Sequence, residues 1–423
     1  MERTVQEELF EPVSPNGEAM STTVISLSIL AVLELEEALE DSPTTWSLIP
    51  NVFLPINPRF SSVMVEDRNG GKRWKRVAVR VQDHVHVPEF PSGMTTKYYE
   101  DCLDEYLSKI ASQQFPQSQP MWEIHVINYP TSNAACNVIF KLHHSLGDGF
   151  SLIGALLSCL QRADDPSLPL TFPSVRLHTT KDSSRKHCMY FMKVPRVLSY
   201  LSNTVSDFCS NILKSLIVKD DKSPIRSGRP GTGFLPVTVA TITFSLDHVK
   251  QIKAKLGVTI NDVISGIVFL GTRMYMEAKS SGSGKAVSTS LVPLNTRMFG
   301  GYKSIKEMVK PDAESPWGNH MVILSIPVPK LADAEANDPL QFIFKIRKII
   351  QRKRRSFDVF LAARYIQLMH KFGGSKATSR HLYRTCVNSS MGISNVMGPT
   401  EKMALANHPV KGLYFVVTGS PLA

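Results

Sequence analysis

Apolar positions along the chain switch between two spacings, and each switch marks an element. Val24 to Leu35 is an apolar run interrupted at Glu34; it is too short to span a bilayer and reads as a core strand. A helix is predicted around Ser42 to Val52. β-forming residues return at Ser61 to Glu66 and Trp74 to Val81, with Arg68-Asn69-Gly70-Gly71 as the turn between them. Tyr98 to Gln113 has helical spacing, and Pro120 to Ile127 reads as a strand. Asn137 to Leu142 reads as a buried strand, and the residues from Phe150 to Leu157 have helical spacing. Strands alternating with helices and hairpin turns predict mixed α/β layering.

The period fades from about Asp164 to Gly233, where prolines, serines and charges are frequent; this predicts a linker between two halves. Within it, Met189 to Val218 is apolar but interrupted by Pro195, Asp207 and Lys214. It reads equally as a basic segment lying on a bilayer and as a linker helix packed on the protein's own surface. Beyond it, a strand is predicted at Val237 to Phe244, and a helix starts at Ser245. Thr259 is a plausible cap for a helix over Val263 to Met276, with Asn261 and Asp262 in its first turn. Strands are expected at Ser288 to Leu294, His320 to Val328, Ser389 to Val396 and Lys411 to Thr418. Pro339 to Gly373 is expected to be mostly helical. Its Lys345, Arg347, Lys348, Arg352, Lys353, Arg354 and Arg355 read as a solvated face, or as a phosphate- or lipid-binding one. The division expected is 1–165, a 166–233 crossover and 234–423.

A chain of 423 residues with 43% hydrophobic residues can bury a sizeable core in two halves, and its net charge of +11 favours anionic partners. No zinc spacing and no basic stretch interleaved with aromatics points to nucleic acid. Six cysteines (Cys102, Cys136, Cys159, Cys188, Cys209, Cys386) lack paired spacing, which fits a reducing compartment better than disulfides or a metal site. The acidic N-terminus (Glu2, Glu7, Glu8, Glu11) argues against a targeting peptide.

Candidate chemistry concentrates at His143-His144-Ser145-Leu146-Gly147-Asp148-Gly149, between the buried strand and its helix. A histidine there can take a proton from a hydroxyl near neutral pH. In a strand, His144 shares a face with Val138, Phe140 and Leu142, whereas His143 shares the other with Ile139 and Lys141, so the two cannot do the same work. Asp148 is placed to hold the loop by pairing with a cation, and Gly149 is expected to let the backbone bend closely. A surface turn whose histidines carry no chemistry is the bland alternative. With no G-x-S-x-G elbow and no catalytic-cysteine signature, direct transfer by a single base is the simpler chemistry.

The seven residues match the HHxxxDG motif of acyl-CoA-dependent acyltransferases. The chain further resembles the plant branch of the wax ester synthase/diacylglycerol acyltransferase family. The resemblance is carried by Pro12-Val13-Ser14-Pro15, Val52 to Ser62, Pro120-Met121-Trp122-Glu123, Asn261-Asp262, Pro293 to Arg297, Gly318-Asn319 and Ser394 to Pro399. It implies the two-domain, chloramphenicol acetyltransferase-like α/β fold, mixed sheets backed by helices with a tunnel between the halves. It implies His144 as general base, Asn261 as oxyanion donor, and Asp148 as structural, with Arg297 its partner across the domains or both in core roles. His143 and Gly149 would shape the site. Asp262, Asn395 and Gly398 would line the tunnel, or Asn395 and Gly398 a plain turn.

The substrates implied are acyl-CoA, as co-substrate with no bound cofactor or metal, and a long-chain fatty alcohol or diacylglycerol. The reaction would occur at the cytosolic face of the endoplasmic reticulum membrane, with the plasma membrane as a second location. A soluble polar acceptor, or an inactive lipid-binding paralogue, is the alternative. Family members continue past Gly419-Ser420-Pro421, so a chain ending at Leu422-Ala423 is expected to be C-terminally truncated, with an unpaired sheet edge.

Overall fold

A computed structural model describes residues 9–40, 42–67, 71–168, 170, 190–229, 235–297, 308, 310, 313, 317–331, 338–354, 356–396 and 398–422. In chain order, β1 (Leu9–Pro12), α1 (Pro15–Ala19) and β2 (Ser28–Leu35) lead to α2 (Pro43–Leu48) and α3 (Leu54–Ile56). The antiparallel pair β3 (Ser62–Glu66) and β4 (Lys72–Arg76) follows, then β5 (Val85–His86), α4 (Thr96–Ser112) and β6 (Trp122–Ile127). β7 (Cys136–His143), α5 (Gly149–Ser158) and β8 (Leu160–Arg162) close the first half, and α6 (Tyr190–Leu216) lies in the crossover. The second half has α7 (Leu246–Leu256), α8 (Ile260–Lys279), β9 (Thr289–Asn295), β10 (Met321–Pro327), α9 (Pro339–Arg354) and α10 (Asp358–Val387). β11 (Met391–Gly392), β12 (Met403–Leu405) and β13 (His408–Thr418) complete it.

The main sheet runs β5-β6-β7-β2-β13-β12-β8, antiparallel except between β5 and β6. β2 is central because its sequence is apolar on both faces. Ile29, Ala31, Leu33 and Leu35 join a cluster with Phe53, Phe60, Trp122 and the α5 leucines; Leu30 and Val32 meet Leu103, Leu107 and Ile110 of α4. β7 divides in the same way, with Val138, Phe140 and Leu142 in the first cluster and Ile139 in the second. Burying each such side chain stabilises by about 1.5–3 kcal/mol. The strand that ends in the histidines is therefore held on both faces and both edges.

β12 and β13 cross back from the second half into the first half's sheet, so the division in sequence is not a division in space. The last strand, β13, lies between β2 and β12 and has no free edge. A smaller sheet, β10-β9-β11, belongs to the second half, and β1-β4-β3 forms a third.

Two strand expectations fail for physical reasons. Residues 237–244 belong to no sheet; Val237 and Val239 lie against the α4-side cluster, where the sheet offers side chains rather than an edge, and Ile242 and Phe244 are exposed. Of Ser389 to Val396 only Met391–Gly392 pairs, parallel to Ser290–Leu291 of β9. The expected turn at Arg68-Asn69-Gly70 lies outside the described residues, as does Cys188; the other five cysteines are free. α10 breaks at Gly374, whose φ of +68° is left-handed, giving two helical arms. Lys353 of the basic run turns inward to Asp207 of α6 at 2.9 Å instead of facing solvent, while Arg352, still half-exposed, reaches the same carboxylate at 3.0 Å.

Candidate active site

Pairing with β2 carries the motif just past the end of β7: Ser28 stands opposite His143, and the His144 N–H donates to the Leu27 carbonyl at 2.8 Å. Four residues later Asp148 caps α5, its Oδ1 accepting from the Ser151 N–H at 3.0 Å. The loop between strand and helix is fixed from outside. The Leu146 carbonyl accepts from Trp317 Nε1 at 2.8 Å and from the Arg59 guanidinium at 3.1 Å. A Cβ on Gly147 would come within 2.9 Å of Ser151 Cβ and 3.5 Å of the Trp317 ring; one on Gly149 would meet nothing within 4 Å. Close approach therefore needs glycine at 147, not at 149 as expected. Gly149 is simply the first residue of α5.

Asp148 meets Arg297 at 2.5 Å, and both side chains are 4% exposed. The carboxylate also accepts from the His320 N–H at 2.9 Å, while Arg297 donates to the Gly318 carbonyl at 2.7 Å. A buried ion pair recovers its desolvation cost only when its remaining hydrogen-bonding groups are occupied, and this one meets that condition. Through it the ends of β9 and β10 are docked on the motif.

Asn319, beside this pair, decides what His144 can do. Its Nδ2 donates to the His144 carbonyl at 2.9 Å, so its Oδ1 is the atom 3.1 Å from His144 Nδ1. An amide oxygen only accepts, so Nδ1 carries the proton and Nε2 keeps its lone pair. Nε2 has no hydrogen-bond partner among the described residues. Burial lowers the pKa of His144 from the ordinary value, against the opposing pull of Asp148 and Asn319, and the ring is neutral at pH 7. It is a base with one open nitrogen.

His143 is the reverse case. Its Nδ1 accepts from the Ser145 N–H at 3.1 Å, so the proton sits on Nε2, which faces Ser26 Oγ at 3.3 Å. Burial first, then the nearby His144, Lys141 and Lys72, press its pKa down to about 3. Both nitrogens are occupied, which makes it a brace. Behind it, buried Lys141 pairs with Glu123 at 3.1 Å, and Trp122 Nε1 donates to the Phe60 carbonyl at 2.8 Å. These contacts account for the Pro120-Met121-Trp122-Glu123 stretch as support for the motif strand.

Two cavities flank the motif. One of about 250 Å³ reaches Thr296, Asn319 and His320 and is walled by Phe208 of α6 and Tyr365 and Ile366 of α10. A second of about 50 Å³ reaches His143 and Ser26. Neither is lined by Asn261, Asp262, Asn395 or Gly398, nor by His144 itself, whose neighbours Asn319 and His143 line one each. Asn261 instead accepts from Asn395 Nδ2 at 2.9 Å. Asp262, expected on the tunnel wall, is occupied in a capping box: its carboxylate accepts from the Thr259 N–H at 2.9 Å, and Thr259 Oγ1 accepts from its own N–H at 3.1 Å. Asn395 and Gly398 are exposed. Residues that do serve the motif but carried no assigned role in the sequence are Arg59, Trp317, Asn319 and Ser151. Their partners lie up to 175 positions away, a distance at which local spacing gives no signal.

A sheet completed by strands from both halves, with a tautomer-locked histidine where the halves meet, defines the two-domain CoA-dependent acyltransferase fold of the chloramphenicol acetyltransferase type. The sequence model of the wax ester synthase/diacylglycerol acyltransferase catalytic domain matches residues 56–264, and that of the WS/DGAT C-terminal domain matches residues 317–423. Among curated relatives, wax ester synthase/diacylglycerol acyltransferase 11 of Arabidopsis thaliana is 28% identical over 99% of this chain and 87% of its own length. Its namesake numbered 7 is 28% identical over 95% and 86%. The solved wax ester synthase/diacylglycerol acyltransferase of Marinobacter aquaeolei VT8 superposes with a TM-score of 0.54 at 15% identity, covering 97% of this chain and 88% of that one. The chain belongs to the wax ester synthase/diacylglycerol acyltransferase family and is an acyltransferase.

Proposed function

We propose that the protein transfers a fatty acyl group from acyl-CoA to the hydroxyl of a long-chain alcohol or of diacylglycerol, without a covalent acyl-enzyme. His144 Nε2 takes the hydroxyl proton as the oxygen attacks the thioester carbonyl carbon. The tetrahedral intermediate then expels the CoA thiolate, which recovers that proton from His144 Nε2. Asn319 Oδ1 holds the Nδ1 proton throughout and stabilises the transient imidazolium. His143, Asp148 and Arg297 keep the ring in place. The observation that carries this reading is the Asn319 contact, because it leaves a neutral, oriented nitrogen free at the meeting of the halves.

Apolar lining from Phe208, Ile212, Ala362 and Ile366 favours a lipid acceptor over a polar one. A volume of about 250 Å³ falls below the roughly 300–1,000 Å³ usual for ligand sites, so a long chain requires α6 and α10 to part. The reading puts the reaction at the cytosolic face of the endoplasmic reticulum membrane, with the plasma membrane as a second location. Among the described residues no single helix is long and apolar enough to cross a membrane. Purified protein given labelled palmitoyl-CoA with hexadecanol or diacylglycerol should yield labelled wax ester or triacylglycerol. Product only with a short polar alcohol would overturn the assignment of the acceptor.

A further inference from the structure

Helix α6 is turned inside out. Over residues 201–216 its inward side chains include the buried Thr204 and Asp207, the half-buried Asn211, and the buried Lys214 and Ser215. Each of the first four is bonded inward. Thr204 Oγ1 accepts from the Phe357 N–H at 3.0 Å, Asp207 is held by Arg352 and Lys353, Asn211 donates to Asp358, and Lys214 pairs with Asp220. The outward residues Leu201, Val205, Leu213 and Leu216 are apolar at helical spacing, and the chain continues through Ile217, which is 70% exposed. A water-facing helix has the opposite arrangement, because exposed leucines gain nothing in water and buried charges need partners.

The neighbouring first arm of α10, packed along α6, repeats the feature. It exposes Phe357, Leu361, Leu368 and Phe372, and Phe372 is 81% exposed at the tip beside the Gly373-Gly374 break. Charge on α10 is one-sided. Its only carboxylate, Asp358, is buried against Asn211, whereas Arg364, Lys371, Lys376 and Arg380 are all exposed. The Lys371 ammonium stands 5.8 Å from the Phe372 ring centre, next to the apolar tip. An apolar stripe bordered by cations and lacking anions complements a bilayer with negative headgroups. The same two helices wall the cavity that reaches Asn319 and His320, through Phe208 and Ile212 from α6 and Ala362 and Ile366 from α10.

We infer that the outer face of α6 and the first arm of α10 form the surface by which the protein docks on an anionic lipid bilayer, bringing the apolar cavity between them to the membrane that holds its acceptor. This rests on the proposed acyl transfer to a lipid hydroxyl for its purpose, though not for its test. The purified full chain is floated with phosphatidylcholine vesicles, with or without phosphatidylserine, and compared with V205S/L213S and L368S/F372S. None of these four positions lines either cavity.

The wild type should float with the phosphatidylserine vesicles and release in salt, and each double variant should bind about ten-fold less. In parallel, acylation of water-soluble butanol should be the same in all three proteins, while acylation of diacylglycerol carried in vesicles should fall with the binding. Equal flotation of variants and wild type overturns the inference, as does failure of the wild type to float. A wild-type dimer that the variants dissociate, with flotation unchanged, assigns the face to a second copy and overturns it too. Flotation as expected with no acyl transfer to either alcohol supports the docking surface and contradicts the proposed function instead.

Discussion

The junction beneath the motif and the α6–α10 pair both bury ion pairs, yet the two regions put them to opposite use. At the junction, Asp148 and Arg297 lie in a bonded network beside the large apolar cluster, and what they fix is the loop that carries His144. At α6, Asp207 with Arg352 and Lys353 ties one helix to another, and Leu201, Val205, Leu213 and Leu216 are left outside. A buried charge by itself is thus a poor guide to what a region does. Which side chains it displaces to the surface, and which it holds still, is more informative.

The largest effect is expected at the junction. Arg297→Ala leaves Asp148 charged and buried without its cation, and unfolding in denaturant should show a loss of about 3–5 kcal/mol. Arg352→Ala at α6 should cost less, about 0.2–1 kcal/mol, because its side chain is 46% exposed and Lys353 still pairs with Asp207. Equal costs at the two sites would remove the contrast between them.

Asn319→Ala keeps the ion pair but frees the His144 tautomer. It should lower kcat by about 10²-fold with little change in KM or melting temperature; a loss confined to stability would show that Asn319 only supports the fold.

Low pH should lower the stability of the fold. His143 is pressed down to about 3 and His381 to about 4 by burial, against an unfolded value of about 6.5. Above pH 6.5 neither state takes up these protons. Below it the unfolded chain binds them and the folded one does not, so stability falls as pH drops from about 6.5 toward 3. At pH 5 the His143 contribution alone is about 2 kcal/mol, and a melting temperature unchanged between pH 7 and 5 would contradict the burial of both groups.

The smallest effect is expected at Asn261. Paired with Asn395 away from both cavities, its replacement by alanine should lower kcat less than about ten-fold. A loss of about 10²–10³-fold would instead put its amide at the oxyanion.

Much of the fold was legible because burial on two faces leaves a plain record. The runs at 28–35 and 136–143 are apolar in both alternating sets, and the motif follows the second directly. Thr259 announces a helix start by capping chemistry that acts over three residues; Ser14 and Asp148 cap helices in the same way, but in the sequence they read only as turn and loop residues. The crossing of β12 and β13 into the first sheet was not legible, since strand order depends on contacts far apart in the chain. For α6 the sequence reads as a linker helix or a bilayer segment, but which of its faces turns inward was not legible, since that depends on partners more than 140 positions away. At the site, the histidines and Asp148 were readable from their spacing. The residue that fixes the tautomer, Asn319, was visible only as part of a family stretch, and its role depends on a hydrogen bond across 175 positions.

The central claim is that the two adjacent histidines have opposite duties, set by which nitrogen carries the proton. Initial rates of labelled palmitoyl transfer to hexadecanol, measured on folded His144→Ala and His143→Gln side by side, test it most directly. The account predicts a fall of about 10²–10⁴-fold for His144→Ala, and for His143→Gln a rate within about ten-fold of wild type with a lower melting temperature. Wild-type rates in His144→Ala, or a greater loss in His143→Gln than in His144→Ala, would contradict it.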